Sequence, residues 1–356
     1  MRALLGSPPA FGKFQGGIAM SNLGGGVDLG LSGDYSTTYS SYLTIPESYA
    51  LAGQALFLEA GCNQTSLPAQ ISCLKQVSAA TIVDLPTNAR YVVQDGHYIN
   101  TPELDVANRN SSTAHVPVIF GNTANDGASF CSFPPTDITT LSEGIQASLS
   151  ITPYFADLII NSKLFPYYDT GNLTLDSFNV SQRVSTDKQF RCIDQATMYA
   201  GVSSSAFPTA YYYQMDRTGA GYDPNHVGGP PVEPGYPYGD PNLPYFRLHG
   251  SDMPWVFGNL DPLRDADDLW SIQLTTAYFG AFVKTGNPNP SEEYLLNRGY
   301  GVALEGVRRS GEWVNVRGAD GPMQLLDWPS RESVFLEPEQ CSFLNYSISY
   351  YLEKGH

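Results

Sequence analysis

Short runs of apolar residues between turn residues predict five β-strands in this chain. The predicted strands are 17–21, 116–121, 210–215, 312–316 and 323–326. The first three are almost continuously apolar, which is typical of strands in a sheet that is covered on both faces. The last two are separated by Arg-Gly-Ala-Asp-Gly at 317–321, so they are predicted to pair as a hairpin.

Apolar residues spaced three and four positions apart predict four helices. The predicted helices are 46–60, 186–201, 267–285 and 339–352. Gly61 follows the first and Gly286 the third, and glycine directly after the last apolar position is a common helix stop. Helices that alternate with buried strands predict an α/β fold. The stretch 218–244 is rich in Gly, Pro and Tyr and lacks periodicity, so we expect a long surface loop rather than a domain linker.

Composition and charge exclude several classes of protein. Of the 356 residues, 42% are hydrophobic and 15% are charged, so the chain is able to bury a large core. The 19 basic and 35 acidic residues give a formal net charge of −16, which repels nucleic-acid phosphates. No basic cluster favours an anionic membrane surface, and no run of about 18 apolar residues predicts a membrane-spanning helix.

Cysteines and glycosylation sequons favour a secreted protein. The spacing of the five cysteines and five histidines predicts no metal site, and a disulfide between Cys62 and Cys73 would close a short polar loop. Asn-x-Ser/Thr sequons occur at five positions, Asn63, Asn110, Asn172, Asn179 and Asn345. The first residues, Met-Arg-Ala-Leu-Leu-Gly-Ser-Pro-Pro, lack the apolar run of a signal peptide. Two interpretations follow: a cytosolic protein with unused sequons, or a natural N-terminus that lies upstream of Met1.

Two segments that come after predicted strands hold candidate reactive residues, because the reactive groups of open α/β sheets gather at the carboxyl ends of strands. Asp126 lies in an Asp-Gly turn, and taken alone it is explained by a carboxylate that hydrogen-bonds its own backbone. His249 lies in an apolar, aromatic stretch, and taken alone it is explained by a structural histidine. Together they form a carboxylate–imidazole pair in the chain order that follows the serine of an α/β-hydrolase.

Several motifs together closely resemble the type-B carboxylesterase family, which includes carboxylesterases, cholinesterases and fungal lipases. The motifs are 7–21 (Ser-Pro-Pro-Ala-Phe-Gly-Lys-Phe-Gln-Gly-Gly-Ile-Ala-Met-Ser), 60–74 (from Ala-Gly-Cys to Cys-Leu), 91–96 (Tyr-Val-Val-Gln-Asp-Gly), 125–127 (Asn-Asp-Gly), 249–257 (His-Gly-Ser-Asp-Met-Pro-Trp-Val-Phe), 282–290 (Phe-Val-Lys-Thr-Gly-Asn-Pro-Asn-Pro) and 327–329 (Asp-Trp-Pro). They resemble the C-terminal two-thirds of a secreted, fungal member. The resemblance implies an α/β-hydrolase fold with 1–356 as part of one domain, a Cys62–Cys73 disulfide, a small-molecule or lipid ester substrate, and no cofactor.

The resemblance also implies a Ser–His–acid triad. His249 would act as general base and then general acid, and Asp126, which stands where the family most often has Glu, would orient the imidazole. The chain contains no Gly-x-Ser-x-Gly motif: the strings 30–33 and 201–204 lack the second spaced glycine. His-Val-Gly-Gly at 226–229 imitates the family's oxyanion segment but lies downstream of the acid.

We therefore expect the nucleophile, the first strands and the signal peptide to lie upstream of Met1, and the chain itself to be inactive on esters. The alternative is a non-catalytic, carboxylesterase-like binding or adhesion protein, or a degraded gene product. The sequence leaves the pairing of Cys131, Cys192 and Cys341 open, together with the acyl and alcohol preference and the oligomeric state.

Overall fold

The computed structural model describes residues 1–22, 42–89, 91–108 and 112–353. Within these ranges the strands are β1 (Gly17–Met20), β2 (Leu43–Thr44), β3 (Val93–Gln94), β4 (Val118–Thr123), β5 (Ala210–Met215), β6 (Met323–Leu326) and β7 (Arg331–Ser333). Five of them form a central sheet in the order β1-β4-β5-β6-β7, and β2 pairs with β3 separately. Strands β1, β4, β5 and β6 are parallel, whereas β7 is antiparallel to β6.

Helices surround the sheet. In the described residues they are α1 (Arg2–Leu5), α2 (Ile45–Ser48), α3 (Gln54–Glu59), α4 (Leu67–Leu74), α5 (Ala79–Val83), α6 (Leu141–Leu149), α7 (Pro153–Ser162), α8 (Leu173–Thr186), α9 (Cys192–Ser203), α10 (Met253–Phe257), α11 (Ala266–Thr285), α12 (Glu292–Asn297), α13 (Gly301–Ser310), α14 (Pro338–Phe343) and α15 (Tyr350–Glu353). One π-helical turn joins α2 to α3 and another joins α8 to α9, so each pair forms one continuous helical segment. No helix of the described chain combines the length and apolar character needed to cross a bilayer.

The central strands are buried on both faces, as their continuous apolar sequences predict. Phe120 of β4 and Tyr212 of β5 pack with α9 in one core cluster. Ile119 and Tyr213, which are their neighbours along the strands, point to the opposite face and pack with α11. A parallel sheet between two helical layers confirms the predicted α/β class.

Four of the five predicted strands are present, but the prediction for 312–316 is wrong. That segment forms no strand, and β6 instead pairs with β7 across residues 327–330. The side chain of Asn289 satisfies the backbone of Trp313 on both sides, accepting from its N–H at 2.8 Å and donating to its carbonyl at 3.0 Å. The N–H of Val316 donates to the carbonyl of Ala210 at 2.8 Å, so the end of this segment is hydrogen-bonded to the start of β5 without forming a strand.

The edge strand β7 differs from the buried strands. Arg331 and Glu332 are exposed on it, and a strand that carries charges at a sheet edge resists pairing with further strands. At the opposite edge, β1 carries Ile18 and Met20, and within the described residues it pairs with β4 alone. The two edges of the sheet are therefore chemically different.

The helix predictions succeed where the buried face is apolar. The segments 46–60 and 267–285 correspond to α2–α3 and to α11. The segment 186–201 begins much earlier, at the start of α8, because α8 buries polar residues such as Ser177, Ser181 and Ser185 that an apolar pattern does not register. The prediction of one helix over 339–352 is wrong: the helix is interrupted between α14 and α15, where Asn345 has a φ of +60°.

Two disulfides are present in the structure. Cys62–Cys73 confirms the predicted pair. Cys192–Cys341 joins α9 to α14 and resolves a pairing that the sequence leaves open. Cys131 is buried and unpaired.

Candidate active site

The segment that contains Asp126, called the acid segment below, follows the end of β4. Asp126 begins a single 3-10 turn, Asp126–Ser129, and is fully buried. Its Oδ2 atom accepts a hydrogen bond from the Thr123 amide at 2.8 Å. A Cβ atom at Gly127 would lie 2.1 Å from the amide nitrogen of Thr186, so the close approach of α8 requires glycine after the acid. The Thr186 hydroxyl accepts from the Gly127 amide at 2.9 Å and fixes this approach.

The segment that contains His249, called the histidine segment below, is hydrogen-bonded to the acid segment through Arg247, two residues before His249. The Arg247 amide donates to the Asn125 side-chain oxygen at 3.0 Å, and the Arg247 carbonyl accepts from the Asn125 amide at 3.2 Å. The same carbonyl also accepts from the Thr123 hydroxyl at 2.7 Å. These bonds bring together two loops that are more than a hundred positions apart in the sequence.

His249 Nδ1 lies 2.9 Å from Asp126 Oδ1. The imidazole is 29% exposed, whereas the carboxylate is fully buried. Burial alone would lower the pKa of His249, but the hydrogen bond and the charge of Asp126 outweigh it, so the pKa is raised. Both explanations of Asp126 therefore apply: its Oδ2 accepts a hydrogen bond from the nearby backbone, as in a simple turn, and its Oδ1 pairs with His249.

Aromatic rings enclose the imidazole. The ring of Phe130 meets it edge-on with 5.0 Å between the centroids, and the ring of Phe190 lies at 5.4 Å. Phe130 is 39% exposed, so it contributes to the surface beside the histidine. Neither ring is recognisable from the sequence as part of the site, because its contact with His249 depends on the packing of α8 and α9 beside Asp126.

A second buried carboxyl, that of Asp252, lies three residues after His249, and the sequence does not identify it as part of the site. Asp252 is fully buried, and its Oδ2 accepts from the Tyr213 hydroxyl at 2.7 Å. Its Oδ1 has no hydrogen-bond partner among the described residues. Burial, reinforced by the charge of Asp126, raises the pKa of Asp252 to about 6. Its only signal in the sequence is its place in the His-Gly-Ser-Asp motif.

A nucleophile is not found beside the pair within the described residues. The hydroxyls of Ser129 and Ser251 donate to the carbonyls of Tyr222 and Leu248, and no serine or cysteine of these ranges bonds the second ring nitrogen of His249. Of the two serine strings singled out above, 201–204 ends α9, where its last hydroxyl bonds Val106, and 30–33 lies outside the described residues.

The segment 226–229 does not form an oxyanion hole in this structure. The amides of Val227 and Gly228 already donate to the Asp223 carboxylate at 2.9 and 2.7 Å. Among the described residues, no cluster of three or more His, Cys, Asp or Glu side chains is placed to hold a metal ion.

A parallel sheet between helices, with a buried carboxylate after one strand paired to a histidine after the next, is the arrangement of the acid and the histidine in an α/β-hydrolase. The sequence model of the carboxylesterase family matches residues 35–344. This chain belongs to the carboxylesterase family.

A structural comparison agrees with the α/β fold. The fold is similar to that of a PNB esterase, with a TM-score of 0.55 and 19% sequence identity over 96% of this chain and 60% of that chain. At that identity the likeness concerns the fold, and this chain spans about 60% of the length of that esterase. The comparison with curated proteins gave no match.

Proposed function

We propose that this chain supplies the acid–base part of a serine carboxylic ester hydrolase that acts on small-molecule or lipid esters. His249 accepts the proton of the attacking serine hydroxyl and then donates it to the leaving alcohol. Asp126 keeps the proton of the neutral imidazole on Nδ1, so that Nε2 faces the serine as a base, and stabilises the imidazolium that forms. The observation that carries the proposal is the 2.9 Å contact between His249 Nδ1 and Asp126 Oδ1.

The nucleophile is proposed to lie outside residues 1–356, on a strand that pairs with the edge of β1 that has no partner strand among the described residues. The sequence contains no Gly-x-Ser-x-Gly motif, which supports this placement. An apolar cavity of about 450 Å³ borders the β1 edge, where Ile18 and Met20 meet Phe279 and Val283 of α11. A further strand would cover this surface, and its carboxyl end would lie at the same side of the sheet as Asp126.

Secretion and glycosylation are part of the same proposal. Two disulfides support an oxidising compartment. The sequon asparagines Asn63, Asn172 and Asn345 are exposed, so a glycan is accommodated at each, whereas Asn179 is half-buried on α8. Asn110 lies outside the described residues.

The test begins with the transcript. We would map its 5′ end, translate the bases upstream of Met1, and assay the complete product on a short-chain nitrophenyl ester. The proposal expects an in-frame Gly-x-Ser-x-Gly and a hydrolase that loses its activity with His249→Ala but keeps it with His97→Ala, a change of an exposed histidine. Serine-reagent-sensitive hydrolysis by purified 1–356 would contradict the external nucleophile.

A transcript that truly begins at Met1 would instead favour the alternative, a non-catalytic binding protein or a degraded gene product. The observation that favours this alternative is the missing nucleophile motif. Retention of the Asp126–His249 pair argues against it, because binding alone does not require that pair.

A further inference from the structure

The long loop 218–244 contacts the histidine segment directly at its start. The Tyr222 amide donates to the His249 carbonyl at 3.0 Å. A Cβ atom at Gly221 would lie 2.7 Å from the same carbonyl oxygen, so the two backbones touch. We call residues 221–228 the bracing segment, because its further contacts reach the acid segment as well.

Asn225 makes the second set of contacts. Its side-chain Nδ2 donates to the carbonyl of Ala128 at 2.7 Å and to the carbonyl of Cys131. These two carbonyls flank Ser129 and Phe130, and both amide hydrogens of Asn225 are used on them. The backbone that carries the Phe130 ring is therefore held from either side by one side chain.

Two further interactions fix the bracing segment itself. The Ser129 hydroxyl donates to the Tyr222 carbonyl at 2.5 Å and so fastens the segment to the residue before Phe130. The Asp223 carboxylate accepts the amides that follow Asn225, and His226 adopts a positive φ of +54° to close this turn. Asn225 is thus presented by a preorganised turn rather than by a mobile loop.

We propose that Asn225 is a positioning residue for His249 that acts through Phe130. By fixing the two carbonyls beside Phe130, Asn225 holds the ring edge against the imidazole. The ring blocks rotation of the imidazole away from Asp126, so the Nδ1–Oδ1 bond keeps its geometry. This inference rests on the proposed role of His249 as a base, but it assigns the control of that histidine to a loop outside the catalytic pair.

The experiment is an NMR titration of His249 in the 356-residue protein labelled with ¹⁵N-histidine. In Asn225→Ala we expect the His249 pKa to fall by about half a unit, because an imidazole freed from the ring loses part of its bond to Asp126 while burial still disfavours its charge. The matched control is Asn242→Ala in the same loop, whose amide bonds only Asp240 at 3.0 Å and whose loss leaves the His249 pKa unchanged.

A double-mutant cycle separates positioning from general structural support. Phe130→Leu is expected to lower the His249 pKa similarly, and the double variant is expected to show no further fall, because both changes remove the same restraint. Asn225→Gln, which keeps the amide, restores part of the pKa. If circular dichroism shows Asn225→Ala unfolded, Asn225→Ser replaces it; the Ser hydroxyl donates to at most one of the two carbonyls, so a smaller fall in the His249 pKa is expected.

Two results would overturn the inference: a His249 pKa unchanged by Asn225→Ala, or effects of Asn225→Ala and Phe130→Leu that add fully. A parent protein in which His249 titrates no higher than the ordinary histidine value of about 6.5 would instead argue against the pair and the proposed function. Failure of the inference is read from the variants and failure of the proposed function from the parent protein, so the two are distinguishable.

Discussion

Asp126 presents one carboxylate oxygen to His249 Nδ1 at 2.9 Å while its other oxygen accepts the Thr123 amide at 2.8 Å. Because the backbone of Thr123 is part of β4, the carboxylate is fixed relative to the sheet. The orientation of the imidazole is therefore set by the end of a buried strand.

Replacing Asp126 with Asn tests this orientation in the proposed hydrolase. The Asn oxygen would accept the Thr123 amide, leaving its NH₂ to face His249 Nδ1, which would force the imidazole into the opposite tautomer. We expect kcat to fall by about 10⁴-fold, the magnitude seen for the same change in a serine protease triad. Ester hydrolysis measures the loss, and Asp137→Asn, an exposed carboxylate, serves as the control. Full activity in the Asp126 variant would contradict the assigned role.

Asp126→Glu introduces the acid that the resemblance to the carboxylesterase family implies at this position. The longer side chain has to fit a site that is fully buried between Thr123 and the imidazole. We expect the free energy of unfolding to fall by about 1–3 kcal/mol through overpacking, with part of the esterase activity retained because the carboxylate still reaches Nδ1. Urea unfolding measures the first effect. An unchanged unfolding midpoint would mean that the pocket has room for another methylene.

Asp252 predicts a pH dependence of stability. A carboxyl whose pKa is raised to about 6 by burial binds its proton more tightly in the folded chain than in the unfolded chain, where the pKa is about 4. The folded state therefore loses stability as the pH rises from about 4 to about 6. Asp252→Asn cannot ionise and still accepts the Tyr213 hydroxyl, so above pH 6 it is expected to be more stable than the parent by up to about 3 kcal/mol.

Urea unfolding at pH 4 and pH 8 checks this expectation. The difference between Asp252→Asn and the parent should be present at pH 8 and small at pH 4. Parallel pH profiles of the two proteins would show that Asp252 does not carry the effect.

The two disulfides are expected to contribute unequally. Cys192–Cys341 spans 149 positions and Cys62–Cys73 spans 11. In the chain-entropy model the longer loop restricts the unfolded chain more, with contributions of about 5 and about 3 kcal/mol. Replacing each pair with serines and comparing thermal unfolding checks the order. A larger loss on removing Cys62–Cys73 would mean that native-state contacts, rather than chain entropy, decide the contribution.

The sequence predicts the parts of the fold that bury apolar side chains. Strands β4 and β5 and helix α11 are recognisable because their apolar residues continue or recur at helical spacing. Helix α8 is not, since its buried face includes serines, which an apolar pattern does not register. The segment 312–316 has the composition of a strand, but a side chain on a distant loop takes its hydrogen bonds.

The same distinction applies to the candidate site. Asp126 and His249 are predictable because each follows a strand or lies in a family motif. Their supporting contacts, from Arg247, Asn225 and Phe130, join segments that are far apart in the chain. Hydrogen bonds between irregular loops leave no periodic pattern, so only the folded structure reveals them.

The two edges of the central sheet differ in how well they suit an additional strand. A strand that approaches β7 meets the exposed charges of Arg331 and Glu332, and the antiparallel turn of the sheet there ends the parallel array. A strand that approaches β1 meets Ile18, Met20 and an apolar hollow against α11. Among the described residues, the β1 side is therefore the edge of the sheet whose chemistry suits an additional strand.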